Sequence, residues 1–181
     1  MTKPIKSILT KKSGVKLDIG CGERKQGADW VGIDSRKLKG VDIVHDLETF
    51  PWPLPNECAV LAVATEVVEH INPAKGTFLK FMDEVWRVLK VEGTFALSTP
   101  YAGSPFYWQD PMHCNGCTEV TWAYFDPYDR SGLYNVYKPK PWKIMHNTWA
   151  STGLMETVLK KLEETELAEA LRGAQSGNQP K

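Results

Sequence analysis

Val15-Lys16-Leu17-Asp18-Ile19 runs directly into Gly20-Cys21-Gly22, and the reading of that stretch decides the fold. Its first residues alternate apolar and polar, as a short strand does, and the glycine pair marks a tight turn. Such a turn lets the backbone approach a ligand closely, because no Cβ stands in the way. In open parallel sheets ligands sit beyond the carboxyl ends of the strands, where this turn falls. A tight turn without a ligand is the competing reading, and the residues downstream have to decide between them.

Downstream, Trp30-Val31-Gly32-Ile33 is a second short apolar run closed by Asp34, and Val41-Asp42-Ile43-Val44 is a third, followed by His45-Asp46. An Asp at a strand end is more often a turn former than a ligand group. Acidic residues at successive strand ends, Asp18, Asp34 and Asp46, are harder to dismiss: a carboxylate can accept both hydroxyls of a ribose, or an adenine amino group. A dinucleotide turn wants Gly-x-Gly-x-x-Gly over a helix N-terminus. Here the third glycine, Gly27, comes two positions late, and Arg24-Lys25 stands where close helix packing is needed. Asp18, just ahead of the first glycine, suits a ligand carrying an ammonium and a sulfonium better than a pyrophosphate.

The rest of the chain alternates in type. Pro51-Trp52-Pro53-Leu54-Pro55 cannot hold ladder hydrogen bonds and reads as a connector. Ala59 to Ala64 is apolar on both faces, as in a covered central strand. Asn72 suits an N-cap and Pro73 a first helical position. Phe78, Phe81, Met82, Val85 and Leu89 then make one helical stripe ending near Lys90. Glu92-Gly93 breaks it, and Thr94 to Ser98 is the next strand. Pro100 to Tyr128 has no period and is rich in aromatics, and a long irregular stretch is usually functional. Trp142 to Trp149 and Leu154 to Leu162 read as strands joined at Ser151-Thr152-Gly153, and Glu163 to Leu171 as a terminal helix. The pattern is that of an α/β sheet with an antiparallel edge.

The 181 residues fit one domain, expected over 1–171, with a disordered tail over 172–181. Lys plus Arg and Asp plus Glu both count 22, so the net charge is zero. Nucleic acid is demoted as a partner but not excluded. No apolar run reaches the length of a membrane span. Met1 to Lys12 lacks an apolar core and a cleavage site, so the cytoplasm is the expected compartment, with the four cysteines as free thiols.

On these residues the chain resembles the class I S-adenosylmethionine (SAM)-dependent methyltransferases, in their small bacterial and phage-type, methyltransferase type 11-like branch. Leu17 to Gly22 is similar to the family's first motif, and Val31-Gly32-Ile33-Asp34 to its ribose-binding strand. Val44-His45-Asp46-Leu47 with Pro51-Trp52-Pro53 resembles the adenine-binding segment. Glu66-Val67-Val68-Glu69-His70-Ile71 resembles the segment after the fourth strand, and Phe81 to Lys90 the helix before the fifth. The likeness spans roughly Val15 to Pro127. Two departures concern loop geometry: Val91-Glu92-Gly93 replaces the usual Pro-Gly-Gly, and the third glycine is displaced.

The resemblance implies a Rossmann-like, doubly wound, mostly parallel seven-stranded sheet with an antiparallel C-terminal edge strand. It implies SAM as the cofactor and a methyl transfer to an acceptor that the sequence does not name. Gly20 and Gly22 would line the methionine part, oriented by Asp18. Asp34 would take the ribose hydroxyls and Asp46 the adenine amino group, with the Leu47 amide facing a ring nitrogen. Thr65 would lie near the reactive methyl, and Cys21 and Ser35 complete the expected contacts. A SAM-binding regulator without turnover is the alternative. Gln109-Asp110-Pro111-Met112-His113 falls in the loop expected to overhang the methyl, making His113 the candidate general base and Asp110 its partner. The opposing reading makes His113 a structural cap. His70 reads as structural. His113-Cys114-Asn115-Gly116-Cys117 offers soft metal ligands, yet lacks a second cysteine pair nearby, so no metal is expected. The aromatics around it either wall an acceptor pocket or form a small core of their own.

Overall fold

The computed structural model describes residues 14–167. Seven strands form one sheet: β1 (Val15–Ile19), β2 (Trp30–Asp34), β3 (Ile43–Val44), β4 (Ala59–Thr65), β5 (Leu89–Pro100), β6 (Trp142–Trp149) and β7 (Leu154–Lys161). Their order is β3-β2-β1-β4-β5-β7-β6. The first five pair in parallel, whereas β7 runs antiparallel to both β5 and β6. The reversed strand therefore lies one place in from the edge, and β6 occupies the edge itself. The chain order reverses between β3 and β4, which places a topological switch point at the carboxyl ends of β1 and β4.

Register separates the two faces. Leu17 pairs with Val31 and Ala62, Ile19 with Ile33 and Ala64, and Ala62 and Ala64 with Phe95 and Leu97, so all of these point one way. On them lies α1 (Thr77–Val88), whose Phe78, Phe81, Met82, Val85 and Val88 belong to the same core. Truncating a fully buried ring such as Phe81 or Phe95 to alanine should cost about 3–5 kcal/mol. The proline-rich connector covers the core beside α1, with Trp52 and Leu54 buried. It is pinned by an ion pair: Glu84 Oε1 accepts from Trp52 N–H and from Arg87 Nη2, each at 2.6 Å. Arg87 Nη1 in turn donates to the Leu54 carbonyl at 2.9 Å.

On the opposite face the described residues place loops after β1 and β2. Among the described residues the connections from β1 to β2 and from β2 to β3 contain no helix. Leu61, Val63, Thr94, Ala96 and Ser98 on that face are half-buried. β4 is thus buried at Ala59, Ala62 and Ala64 but not on both faces, as its uniform apolarity had suggested. The β1–β2 loop folds back over Gly32, where a Cβ would stand 2.6 Å from Cys21 Sγ.

Other boundaries moved for local reasons. The helix begins at Thr77, not Pro73, because Lys75 (φ 56) and Gly76 (φ 73) adopt left-handed conformations that no α-helix continues through. Asn72 is not the N-cap of a helix: Pro73 is the N-cap of a single 3-10 turn, and Asn72, one residue earlier, accepts Ala74 N–H on its Oδ1 at 2.8 Å. The helix stops at Val88 and β5 begins at once. Glu92-Gly93 is a bulge within the strand: the register jumps from Ala59↔Leu89 to Leu61↔Thr94, with Glu92 at φ 65. β3 is two residues long, shorter than Val41 to Val44. The aromatic stretch holds short helices at Pro105–Trp108 and Glu119–Tyr124. Of the helix expected over Glu163 to Leu171, residues 164–167 are helical and Glu163 is not; residues 168–171 and the tail over 172–181 lie outside the described residues. Among the described residues no helix is long and apolar enough to cross a membrane.

Candidate functional site

The carboxyl ends of β3, β2, β1 and β4 bring Asp46, Asp34, the glycine turn and Thr65 to one edge of the sheet, in that order. The glycine turn is closed by hydrogen bonds from both sides. Gly20 and Cys21 N–H both donate to the Ile33 carbonyl, at 2.8 and 3.3 Å. Gly22 N–H donates to Asp34 Oδ2 at 2.9 Å, tying the turn to the second strand end. Gly20 stands at φ 67, and a Cβ there would lie 2.5 Å from Val67 Cγ2. Only glycine satisfies both the dihedral and the contact.

The three acidic residues differ in environment. Asp18 is buried and accepts Gln26 N–H at 2.7 Å, so it holds the returning loop from behind. Burial raises its carboxyl above the ordinary range, against the lowering effects of that hydrogen bond and of Lys25. Asp34 is also buried, and desolvation pushes its carboxyl upward. The Arg36 and Gly22 amides and the Arg36 guanidinium outweigh that push and hold it below the ordinary value. Its Oδ1 accepts Arg36 N–H at 2.9 Å and Nε at 3.3 Å, while the Arg36 side chain is 69% exposed. Asp46 is exposed and closes its own turn, accepting Glu48 N–H and the Thr49 hydroxyl at 3.0 and 3.2 Å. Leu47 is buried, and its carbonyl accepts Trp52 Nε1–H at 3.1 Å. Ser35 and Thr65 are exposed, and Cys21 is buried, its thiol pushed up to about 11 by burial and the surrounding carboxylates.

Past β4 the chain turns into a second region. Glu66 is held at φ 53, with its N–H on the Ser98 carbonyl at 2.9 Å, and Val67 packs against Gly20. Glu66, Glu69, His70, Pro100, Gln109 and His113 help to line a cleft of about 450 Å³ at the ends of β4 and β5. The glycine turn and this cleft therefore share a wall. His113 Nδ1 lies 2.7 Å from the Tyr107 carbonyl, which fixes the proton on Nδ1 and leaves the Nε2 lone pair toward the cleft. Nε2 stands 3.9 Å from Asp110 Oδ2, and Asp110 Oδ1 accepts Met112 N–H at 2.8 Å. The structure thus brings the expected His113–Asp110 pair together, without a direct hydrogen bond between them.

Sequence reasoning missed Glu69 as a site group and assigned His70 to structure. The His70 and His113 rings lie 4.7 Å apart, nearly edge to face. Glu69 is fully buried; Oε2 accepts the Thr99 hydroxyl at 2.9 Å, and Oε1 is buried with no partner. Burial raises its carboxyl, against its own backbone amide and Thr99. The adjacent pair Glu69-His70 three residues after Glu66 was the available signal. The Cys-x-x-Cys stretch does not converge: Cys114 is exposed, whereas Cys117 is buried and its thiol is pushed up to about 12 by burial. The aromatics divide between both readings. Trp122 and Phe125 pack on Phe78 in the core, Phe106 lines the cleft, and Trp108 is 75% exposed.

No protein-family model matches the chain, and no curated protein matches it in sequence. Solved structures do. The chain is similar to a SAM-dependent methyltransferase from Methanosarcina mazei, with 16% identity and a TM-score of 0.57, over 90% of this chain and 99% of that one. A SAM-dependent methyltransferase from Aquifex aeolicus matches with 15% identity and a TM-score of 0.54, over 87% of both chains. The 16S rRNA (adenine(1408)-N(1))-methyltransferase W203A mutant from Catenulisporales acidiphilia, solved with cosubstrate SAM, matches with 14% identity and a TM-score of 0.57, over 87% of this chain and 89% of that one. The chain has the fold of the class I SAM-dependent methyltransferases.

Proposed function

We propose that this protein is a SAM-dependent methyltransferase whose cofactor lies across the ends of β1 to β4 and whose acceptor enters the 450 Å³ cleft. The observation that carries this reading is the shared wall: Val67 fills the space over Gly20, and its neighbour Glu66 lines the cleft. A cofactor on the glycine turn and an acceptor in the cleft would meet there.

The residues fit such a cofactor. Asp34 is held as a carboxylate, and of its partners the Arg36 guanidinium is mostly exposed and displaceable. Ribose hydroxyls can take its place while the Gly22 and Arg36 amides keep the carboxylate oriented. Asp46 and the Leu47 amide stand at the next strand end, suited to the adenine edge, and Thr65 is exposed at the end of β4, next in sequence to Glu66 of the cleft. Bound SAM supplies a methyl group on a sulfonium, ready for in-line displacement. The chain's own contribution is then positioning, and a base only where the acceptor has a proton to lose. His113 presents the Nε2 lone pair for that proton, and Asp110 stands beside it to stabilise the charge that forms. The reading fits a hydroxyl or amine acceptor small enough, or presented on a segment narrow enough, to enter the cleft.

Calorimetric titration of the purified chain with SAM, S-adenosylhomocysteine and NAD tests this. The first two should bind at one site and NAD should not. NAD binding with no response to either SAM species would overturn the proposal, and SAM binding with no methylation of any acceptor class would favour a regulator.

A further inference from the structure

Glu69, His70 and His113 bring one carboxylate oxygen and two imidazole nitrogens within 4.8 Å of one another at the cleft wall. We propose that this trio binds a divalent transition cation, zinc or manganese in class, which holds the acceptor's hydroxyl oxygen in the cleft. The part concerning the acceptor rests on the methyl-transfer reading; the binding of the cation does not.

Mixed imidazole and carboxylate donors suit such a cation, with bonds of about 2.0–2.2 Å. Two such bonds place ligand atoms roughly 3–4 Å apart, so the trio needs only a small closure. Glu69 Oε1 is the telling atom. It is buried without a partner, in a residue that is 0% exposed, while Thr99 occupies the other oxygen. A carboxylate oxygen left unpaired inside a protein is costly, and a cation removes that cost. His113 is already arranged as a metal ligand is: Nδ1–H on a backbone carbonyl, and the Nε2 lone pair toward the cleft.

The arrangement is also held in place. Cys114 and Asn115 N–H both donate to the Glu69 carbonyl, at 2.9 and 3.0 Å. Asn115 Nδ2 donates to the Val68 carbonyl at 2.9 Å. These bonds staple the loop bearing His113 to the turn bearing Glu69 and His70, so the segments that carry the ligands are brought together by backbone contacts. His70 is exposed and the cleft is open beside it, which leaves coordination positions for an acceptor or water.

With the cation bound, His113 Nε2 would be a ligand and no longer the base, and the acceptor's proton would pass to the Asp110 carboxylate 3.9 Å from it. Held by Glu69, His70 and His113, the cation would position and polarise the acceptor oxygen; its bond to the methyl carbon would form as the carbon–sulfur bond breaks, with the electron pair left on sulfur. The acceptor gains a methyl and loses a proton, and the sulfonium becomes a neutral thioether.

The test is titration of the metal-stripped full chain with Mn²⁺, Zn²⁺ or Co²⁺ alone, by calorimetry and by the visible absorption of the cobalt form. One cation per chain is expected, with cobalt bands of nitrogen and oxygen ligation. His70→Ala, at an exposed position, and His113→Ala should each weaken binding more than about tenfold. Cys114→Ser should leave it unchanged. Absence of binding, undiminished binding by His70→Ala, or a thiolate-to-cobalt charge-transfer band would overturn the inference. SAM titrated into the stripped chain separates the two proposals: SAM binding without a cation site removes only this one, and a cation site without SAM binding removes only the methyltransferase.

Discussion

The strand-end loops and the neighbouring cleft hold acidic groups in opposite conditions. At the strand ends the three aspartates are occupied by the chain itself: Asp18 by the Gln26 amide, Asp34 by Gly22 and Arg36, Asp46 by Glu48 and Thr49. In the cleft Glu69 keeps a buried oxygen without a partner, and His113 keeps Nε2 at 3.9 Å from its nearest acidic neighbour. The first region is satisfied before any ligand arrives, and a ligand there takes the place of an exposed group such as the Arg36 guanidinium. The second is left incomplete, which is the condition of groups that act on something from outside.

That contrast can be broken from either side. The largest effect is expected on the incomplete side. His113→Ala should lower turnover by about 10²–10⁴-fold, while calorimetry finds SAM affinity nearly intact. Equal turnover would make this histidine a structural cap on the Tyr107 carbonyl. On the finished side Asp34→Ala should weaken SAM by about 1.5–3 kcal/mol through lost charge-assisted hydrogen bonds. An unchanged affinity would remove Asp34 from the ribose role. Gly20→Ala should destabilise the fold by about 1–3 kcal/mol in a denaturant titration, because a Cβ meets Val67 and the φ is left-handed. Full stability there would mean that Val67 moves freely and the shared wall is not rigid.

The smallest effect concerns acid. The Asp34 carboxyl is held below its ordinary value of 3.8 in the folded state, so it contributes stability above that pH. The contribution is lost as pH falls from 3.8 through the lower folded value. Asp34→Asn should flatten the acid limb of stability against pH in that window. An unaltered acid limb would mean that Asp34 is no better partnered when folded than when unfolded.

How far the sequence reached follows the same division. The glycine turn, Asp34 and Asp46 were legible because each is a local event, a turn residue at the end of a short apolar strand. β6 and β7 were legible because Ser151-Thr152-Gly153 punctuates them. The start of β5 was hidden because Leu89 continues the helical stripe of α1, and nothing local marks the change at Val88. The start of α1 was hidden because Lys75 adopts a left-handed conformation that its residue type does not announce. Glu69, His70 and His113 were not joined, because what joins them is tertiary: two loop amides on one carbonyl, far apart along the chain. That the described residues carry no helix in the β1–β2 and β2–β3 connections was hidden for another reason. The half-polar pattern of the exposed face lies on β1 and β5, whereas the uniform apolarity of β4 suggested cover on both sides.

The central claim is that SAM binds on the turn after β1, across the ends of β1 to β4. An amide-resolved NMR titration with S-adenosylhomocysteine tests it most directly. The expected result is saturable shifts at Gly20, Gly22, Ser35, Leu47 and Glu66, with the β6–β7 hairpin around Gly153 unmoved. Saturable shifts confined to other parts of the molecule, with Gly20 and Gly22 silent, would contradict it.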